Sequence, residues 1–212
     1  MVARLLLREP AHAATTGGMV AQPSLNVLLT RPKAQSRAFA ATLPDHICFV
    51  ISPLLRIETA QSVPALGDGA TALFTSVYCV RAYLAFQGAR GAPAICVGDR
   101  TTAEAEAAGC DARSAGGTAE DVVALALTKP GPFTHYRGAH ARGDIVPRLR
   151  AAGRNAIDVV AYDQLACPLS QTAAQLLHGP CIVPLFSPRT AALFAESCPT
   201  APKAQILCMS AS

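Results

Sequence analysis

A short apolar run that ends in a hydroxyl-bearing residue or a glycine recurs along the chain. Residues 25–29 run into Thr30 and Arg31, 70–74 into Thr75 and Ser76, 94–97 into Gly98 and Thr101, and 181–186 into Ser187. Residues 206–209 lead in the same way to Ser210 and Ser212. If each run is a strand and the segment after it a helix, these residues stand at the carboxyl ends of strands, where open α/β sheets bind ligands. The next helix points its free amides and positive dipole end there, which suits an anion. Each hydroxyl taken singly can also be a plain helix N-cap. Taken together, the set can line an anion cleft.

Two further places carry chemistry. In residues 136–142 (YRGAHAR), Gly138 allows close backbone approach, and Arg137 and Arg142 could clamp carboxylates. Tyr162 ends an extended apolar stretch, where its hydroxyl can serve catalysis or merely satisfy an interface. Familiar catalytic and nucleotide signatures are missing: the chain has no GxGxxG, GxxxxGK[ST], GxSxG or HExxH. Of the five histidines only His135 and His140 are near each other, without a carboxylate at a useful helical offset, so no metal site is expected. Glu104, Glu106, Glu120 and Asp121 read as solvated helix faces.

The elements that would position these residues follow from the pattern. Strand-sized apolar runs alternate with helix-period segments, which implies parallel sheets built from βαβ units. Ser and Thr at the junctions suit N-caps, Pro32 and Pro188 fit first helical turns, and Gly109 and Gly153 are placed as helix stops. Residues 49–58 (FVISPLLRIE) and 157–165 (IDVVAYDQL) break the rhythm, being extended and feeding no helix. Read as connectors, they divide the chain into a discontinuous first domain, 25–50 with 165–212, and a second domain, 57–158. The connector strands are then 51–56 and 159–164. Residues 1–24 read as a disordered extension, with Met19 an alternative start.

Composition narrows the class. With 51% hydrophobic and 15% charged residues the chain is globular. No apolar run approaches the ~18–20 residues that span a bilayer, so no membrane association is expected. The net charge of +4 comes almost wholly from Arg, which supplies 15 of the 18 basic residues. These arginines are scattered and aromatics make up only 5%, which argues against nucleic acid and leaves an anionic small molecule as partner, or a plain coding bias. The eight cysteines form no CxxC and sit mostly in apolar runs, as in a reducing, cytoplasmic compartment.

Eight segments, in order, resemble the uroporphyrinogen-III synthase family: LLTRP (28–32), ISPLLRIE (51–58), LFTSVYCVRAY (73–83), CVGDRTTAEAEAAG (96–109), YRG (136–138), LRAAG (149–153), VVAYDQ (159–164) and LFSPRTAALF (185–194). The resemblance runs from Leu25 to Ser212. It implies two flavodoxin-like α/β domains joined by a two-stranded connector, with a cleft between them. It also implies a reaction in which the linear tetrapyrrole hydroxymethylbilane loses water, its last ring is inverted, and the macrocycle closes as uroporphyrinogen III. No metal or organic cofactor takes part in that family. Carried over by position, Thr75, Ser76, Thr101 and Ser187 become carboxylate binders, with Thr30, Arg31, Gly98, Arg137, Gly138 and Ser212 beside them. Tyr162 becomes the proton donor to the leaving hydroxyl.

The chain departs from the family in two places. After Thr75 and Ser76 the family often has a small residue and then Asn, whereas here Val77 and Tyr78 follow. The family also continues past the strand matching 206–209, so a first domain short of a strand and a weakened activity are expected. A monomer is expected. The competing reading is a non-catalytic two-domain module that clamps an anionic metabolite with the same junctions.

Overall fold

In the computed structural model, residues 25–87, 91–141, 143–198 and 202–208 are described. The expected extension, 1–24, and the candidates Arg142, Ser210 and Ser212 lie outside them.

In chain order the elements are β1 (Asn26–Leu29), α1 (Lys33–Ala40), β2 (Cys48–Ile51), β3 (Leu55–Thr59), β4 (Thr71–Phe74), α2 (Val77–Gln87), β5 (Pro93–Cys96), α3 (Asp99–Ala107) and β6 (Asp111–Ser114). There follow α4 (Ala119–Leu127), β7 (Phe133–Gly138), α5 (Ile145–Ala151), β8 (Ala156–Ala166), α6 (Gln171–Leu176), β9 (Cys181–Leu185), α7 (Pro188–Ser197) and β10 (Ala204–Cys208). They form two sheets. The smaller has the order β10-β9-β1-β2, all parallel, and draws its strands from both ends of the described chain. The larger has the order β3-β8-β7-β4-β5-β6, parallel except where β3 pairs with β8.

Local chemistry explains the boundaries. Strands such as β1 and β4 bury three residues in succession because helices cover both faces of a parallel sheet. Ser187 caps α7 by accepting from Thr190 N at 3.2 Å, and Pro188 fills the first turn. Gly109 and Gly153 end α3 and α5 at φ +91 and +74, the left-handed backbone that L side chains rarely adopt. Asp121 is more than a solvated carboxylate: with Thr118 it closes a capping box at the start of α4.

The larger sheet carries an apolar core on each face. Phe74, Tyr83, Tyr136 and Tyr162 belong to one face, while Leu73, Ile95, Phe133 and Leu149 belong to the other. Tyr136 stacks on Phe74 at 5.6 Å between centroids and commits its buried hydroxyl to Pro64 O at 3.0 Å.

The crossing strands differ in detail from the sequence reading. The antiparallel pairing joins residues 55–59 to 162–166, later than the expected 51–56 and 159–164. Ile51 belongs to β2 in the smaller sheet, and residues 156–162 pair in parallel with β7. Pro53 interrupts the apolar run 49–58, so one stretch becomes two strands in two sheets. β8 does the reverse, remaining one strand of 11 residues that changes partners midway.

Where it meets β7, β8 is irregular. Arg137 opposes Val160 but Gly138 opposes Tyr162, so one residue of β8 has no opposite number. That insertion breaks the two-residue alternation and puts consecutive Ala161 and Tyr162 into the same core.

Candidate active site

A cleft of about 540 Å³ lies where carboxyl ends of strands from the two sheets meet. From the smaller sheet come Arg31, Gln35 and residues 186–190; from the larger come Leu55, Ile57, Tyr78, His140, Ala141 and Gln164.

The smaller sheet supplies cationic groups. Arg31, next but one after β1, lays its guanidinium over the Phe186 ring at 4.4 Å and donates from Nε to Gln35 Oε1 at 3.0 Å. Burial and then the facing charge of Arg100 hold its pKa below the ordinary arginine value. Arg189 donates to Gln164 O at 2.9 Å, and its buried Nε has no partner among the described residues. Ser187 lines the cleft, but its hydroxyl is already engaged with Thr190 as the helix cap. Thr30, the neighbour of Arg31 in the chain, is 1% exposed, and its Oγ1 has no hydrogen-bond partner among the described residues.

The larger sheet supplies two tyrosines in layers. Tyr78 lines the cleft and its hydroxyl oxygen accepts from Gln35 Nε2 at 2.9 Å, a bond that ties the two walls together. Tyr162 lies beneath, 6% exposed, with its ring centroid 5.6 Å from that of Tyr78. Ser76 donates to the Tyr162 hydroxyl at 3.2 Å. Burial pushes the Tyr162 pKa up, against the opposing effect of the Ser76 hydrogen bond, so the phenol keeps its proton.

Thr75 and Ser76 turn to opposite faces of the sheet. Ser76 goes to Tyr162, whereas Thr75 Oγ1 stands 3.3 Å from His135 Nε2. His135 is 2% exposed, with Nδ1 2.8 Å from Asp158 Oδ1. The carboxylate can only accept, so Nδ1 carries the proton, Nε2 is bare, and the Thr75 hydroxyl donates to it. Burial is the chief cause that lowers the His135 pKa, and Asp158 only partly opposes it. Arg137 pairs with Asp158 at 3.2 Å and donates to Gly138 O at 3.1 Å. These groups flank a smaller pocket of about 160 Å³ that shares Ala141 with the main cleft.

Of the residues singled out from sequence, Arg31 and Ser187 line the cleft itself. Thr30, Ser76 and Tyr162 stand behind its walls, while Thr75 and Arg137 belong to the His135 cluster. Gly98 caps α3 in an extended conformation and Thr101 is 5% exposed in its first turn; neither lines the cleft, although Arg100 between them acts on Arg31. Gly138 is buried against the Tyr162 ring. Gln35, Tyr78, Phe186 and Arg189 went unnoticed as site residues. For Gln35 a signal existed, its place one helical turn after Arg31.

Among the described residues no group of three His, Cys, Asp or Glu could hold a metal ion, and no helix is long and apolar enough to cross a membrane.

Two α/β sheets with a cationic, tyrosine-backed cleft at their strand ends are the architecture of an enzyme that acts on a small molecule. The family model described as uroporphyrinogen-III synthase HemD matches residues 48–212. The chain belongs to this family of cofactor-independent, lyase-type enzymes of tetrapyrrole biosynthesis. Its fold is similar to that of uroporphyrinogen-III synthetase from Helicobacter pylori 26695, with a TM-score of 0.60 and 12% identity over 88% of this chain and 84% of that one. It is also similar to a mutant uroporphyrinogen III synthase from the extremely thermophilic bacterium Thermus thermophilus, with a TM-score of 0.52 and 13% identity over 87% and 84% of the two chains. At such identities the likeness speaks for the fold. No curated protein sequence matches the chain.

Proposed function

We propose that this cleft is where hydroxymethylbilane is held, dehydrated and closed to uroporphyrinogen III, with the last ring inverted. The observation that carries the reading is the pairing of Arg31 with Tyr78 through Gln35 across the cleft. It sets a cation for substrate carboxylates on one wall and ties that wall to the other.

The substrate bears many carboxylates on a flexible chain. Arg31, Arg189 and the amino end of α7 at Ser187 grip it from one wall. Ser76, bonded to Tyr162, and Thr30, next to Arg31 in the chain, belong to the binding role in this reading as supports of the walls, whereas Thr75, Gly98, Thr101, Arg137 and Gly138 do not line the cleft. The hydroxyl leaves readily from an electron-rich pyrrole, so the enzyme's work is chiefly to fix which carbon of the last ring attacks. Tyr162, protonated and bonded to Ser76, is the proton donor that this reading assigns.

The two jaws are residues 25–50 with 165–212 and residues 57–158, crossing near the paired strands 55–59 and 162–166. One chain supplies both walls of the cleft, which supports action as a monomer. Eight free cysteines support a reducing, cytoplasmic setting.

Product analysis tests the proposal. The purified chain given hydroxymethylbilane should yield the type III isomer faster than the spontaneous reaction yields type I. Type I alone, at the spontaneous rate, would establish a binding module instead.

A further inference from the structure

The two tyrosines of the site are not equivalent, and their hydrogen bonds distinguish them. Arginine has donors only, so Arg31 Nε fixes Gln35 Oε1 as the acceptor and turns the Gln35 amide nitrogen toward Tyr78. The Tyr78 oxygen therefore accepts, and no acceptor among the described residues takes its own proton. That proton belongs to a side chain lining the cleft. Tyr162, by contrast, is 6% exposed, lies beneath the Tyr78 ring, and is made a weaker acid by burial.

We propose that Tyr78 is a second catalytic acid of the ring closure, able to deliver the proton to the departing hydroxyl from the cleft wall alongside Tyr162, so that loss of either phenol slows the step without abolishing it. The inference rests on the reading of the cleft given above. In the step, the C–O bond of the terminal hydroxymethyl group breaks with both electrons going to oxygen, and the Tyr78 proton joins that oxygen to release water. The methylene carbon becomes the cationic end of an azafulvenium, and Tyr78 is left as a phenolate. The Gln35 amide faces that phenolate, with the Arg31 charge behind it. After the last ring has attacked and rearranged, the pyrrole carbon sheds its surplus proton back to the phenolate. Water is the sole net product besides the macrocycle, and Tyr78 is regenerated.

Tyr78 is also where the sequence departs from the Asn that the family resemblance leads one to expect. A phenol here can lend a proton, whereas an amide can only form a hydrogen bond.

The test compares the intact chain with Tyr78→Phe on two substrates. One is hydroxymethylbilane; the other is the same bilane with a terminal leaving group that departs as a stable anion without a proton. On hydroxymethylbilane, Tyr78→Phe should lower kcat about tenfold or more with KM little changed. On the second substrate the deficit should vanish. Gln35→Glu, which offers Tyr78 an acceptor in place of a donor and so draws its proton out of the cleft, should also lower kcat. An equal deficit on both substrates would make Tyr78 a shape-giving residue and overturn the proposal, as would an unchanged kcat in Tyr78→Phe. If the intact chain itself produced no type III isomer, the reading of the cleft would fall first and this inference with it.

Discussion

Gly138 and Tyr162 lie opposite each other across the irregular stretch of the β7–β8 ladder, and the tyrosine ring occupies the space a side chain at 138 would need. A Cβ built on Gly138 would stand 2.7 Å from Tyr162 Cζ and 2.9 Å from its hydroxyl oxygen. The glycine is therefore a floor for the ring, and the extra residue in β8 turns that ring toward Ser76 and Tyr78. The backbone of one strand thus determines where a buried phenol points.

Gly138→Ala should destabilise the chain by about 1–3 kcal/mol, the usual cost of forcing a group into a filled core. The Tyr162 ring is held by Tyr78 and Ser76 and cannot simply swing aside. Chemical denaturation measures the loss, and activity should fall with it because the ring is displaced. Unchanged stability would mean that the ring moves freely.

Tyr162→Phe should slow uroporphyrinogen formation without abolishing it. It removes one hydroxyl and leaves the ring packing against Tyr78 intact, so stability should fall by no more than about 1.5 kcal/mol, the loss of one hydrogen bond. Steady-state kinetics with product identification is the check, and unchanged turnover would retire Tyr162 from proton transfer.

His135 should make stability depend on pH. Burial puts its folded pKa below the ordinary value, near 6.5. Above about pH 6.5 the imidazole is neutral in both the folded and unfolded states and its contribution is fully present. As pH falls from there through the lowered folded pKa, the unfolded chain binds a proton that the folded chain refuses, and stability is lost. In His135→Gln, urea midpoints measured from about pH 7.5 to about 5 should fall less steeply than in the intact chain. Parallel slopes would contradict a neutral, buried His135.

Thr118→Ala should cost about 1 kcal/mol by opening the capping box at the start of α4. That helix packs on the face of the larger sheet away from Tyr162. Thermal unfolding should therefore shift while kcat and KM hold, and a loss of kcat would show that this face is coupled to the cleft.

Much of this arrangement was legible in the sequence because it is local. The hydroxyl of Ser187, the proline after it, and the glycines at 109 and 153 act within a turn of their own helices, and the structure uses each as the spacing suggests. Non-local geometry was harder to read. Nothing in the order Thr75-Ser76 says that one hydroxyl goes to His135 and its neighbour to Tyr162 on the opposite face of a sheet. The insertion in β8 leaves no periodic trace, since Ala161 and Tyr162 are both apolar enough for either side. Gln35 and Tyr78 are 43 residues apart and meet only because strand ends of two sheets converge.

Arg31→Met tests the central claim most directly, because it removes the guanidinium and keeps an apolar side chain against Phe186. Isomer ratio and KM for hydroxymethylbilane would be measured side by side for the intact chain and the variant. If the cleft grips the substrate's carboxylates to fix ring orientation, KM should rise about tenfold or more, as for a lost charge-assisted contact, and the type I share should grow. A variant with the intact chain's KM and isomer ratio would show that the substrate is held elsewhere.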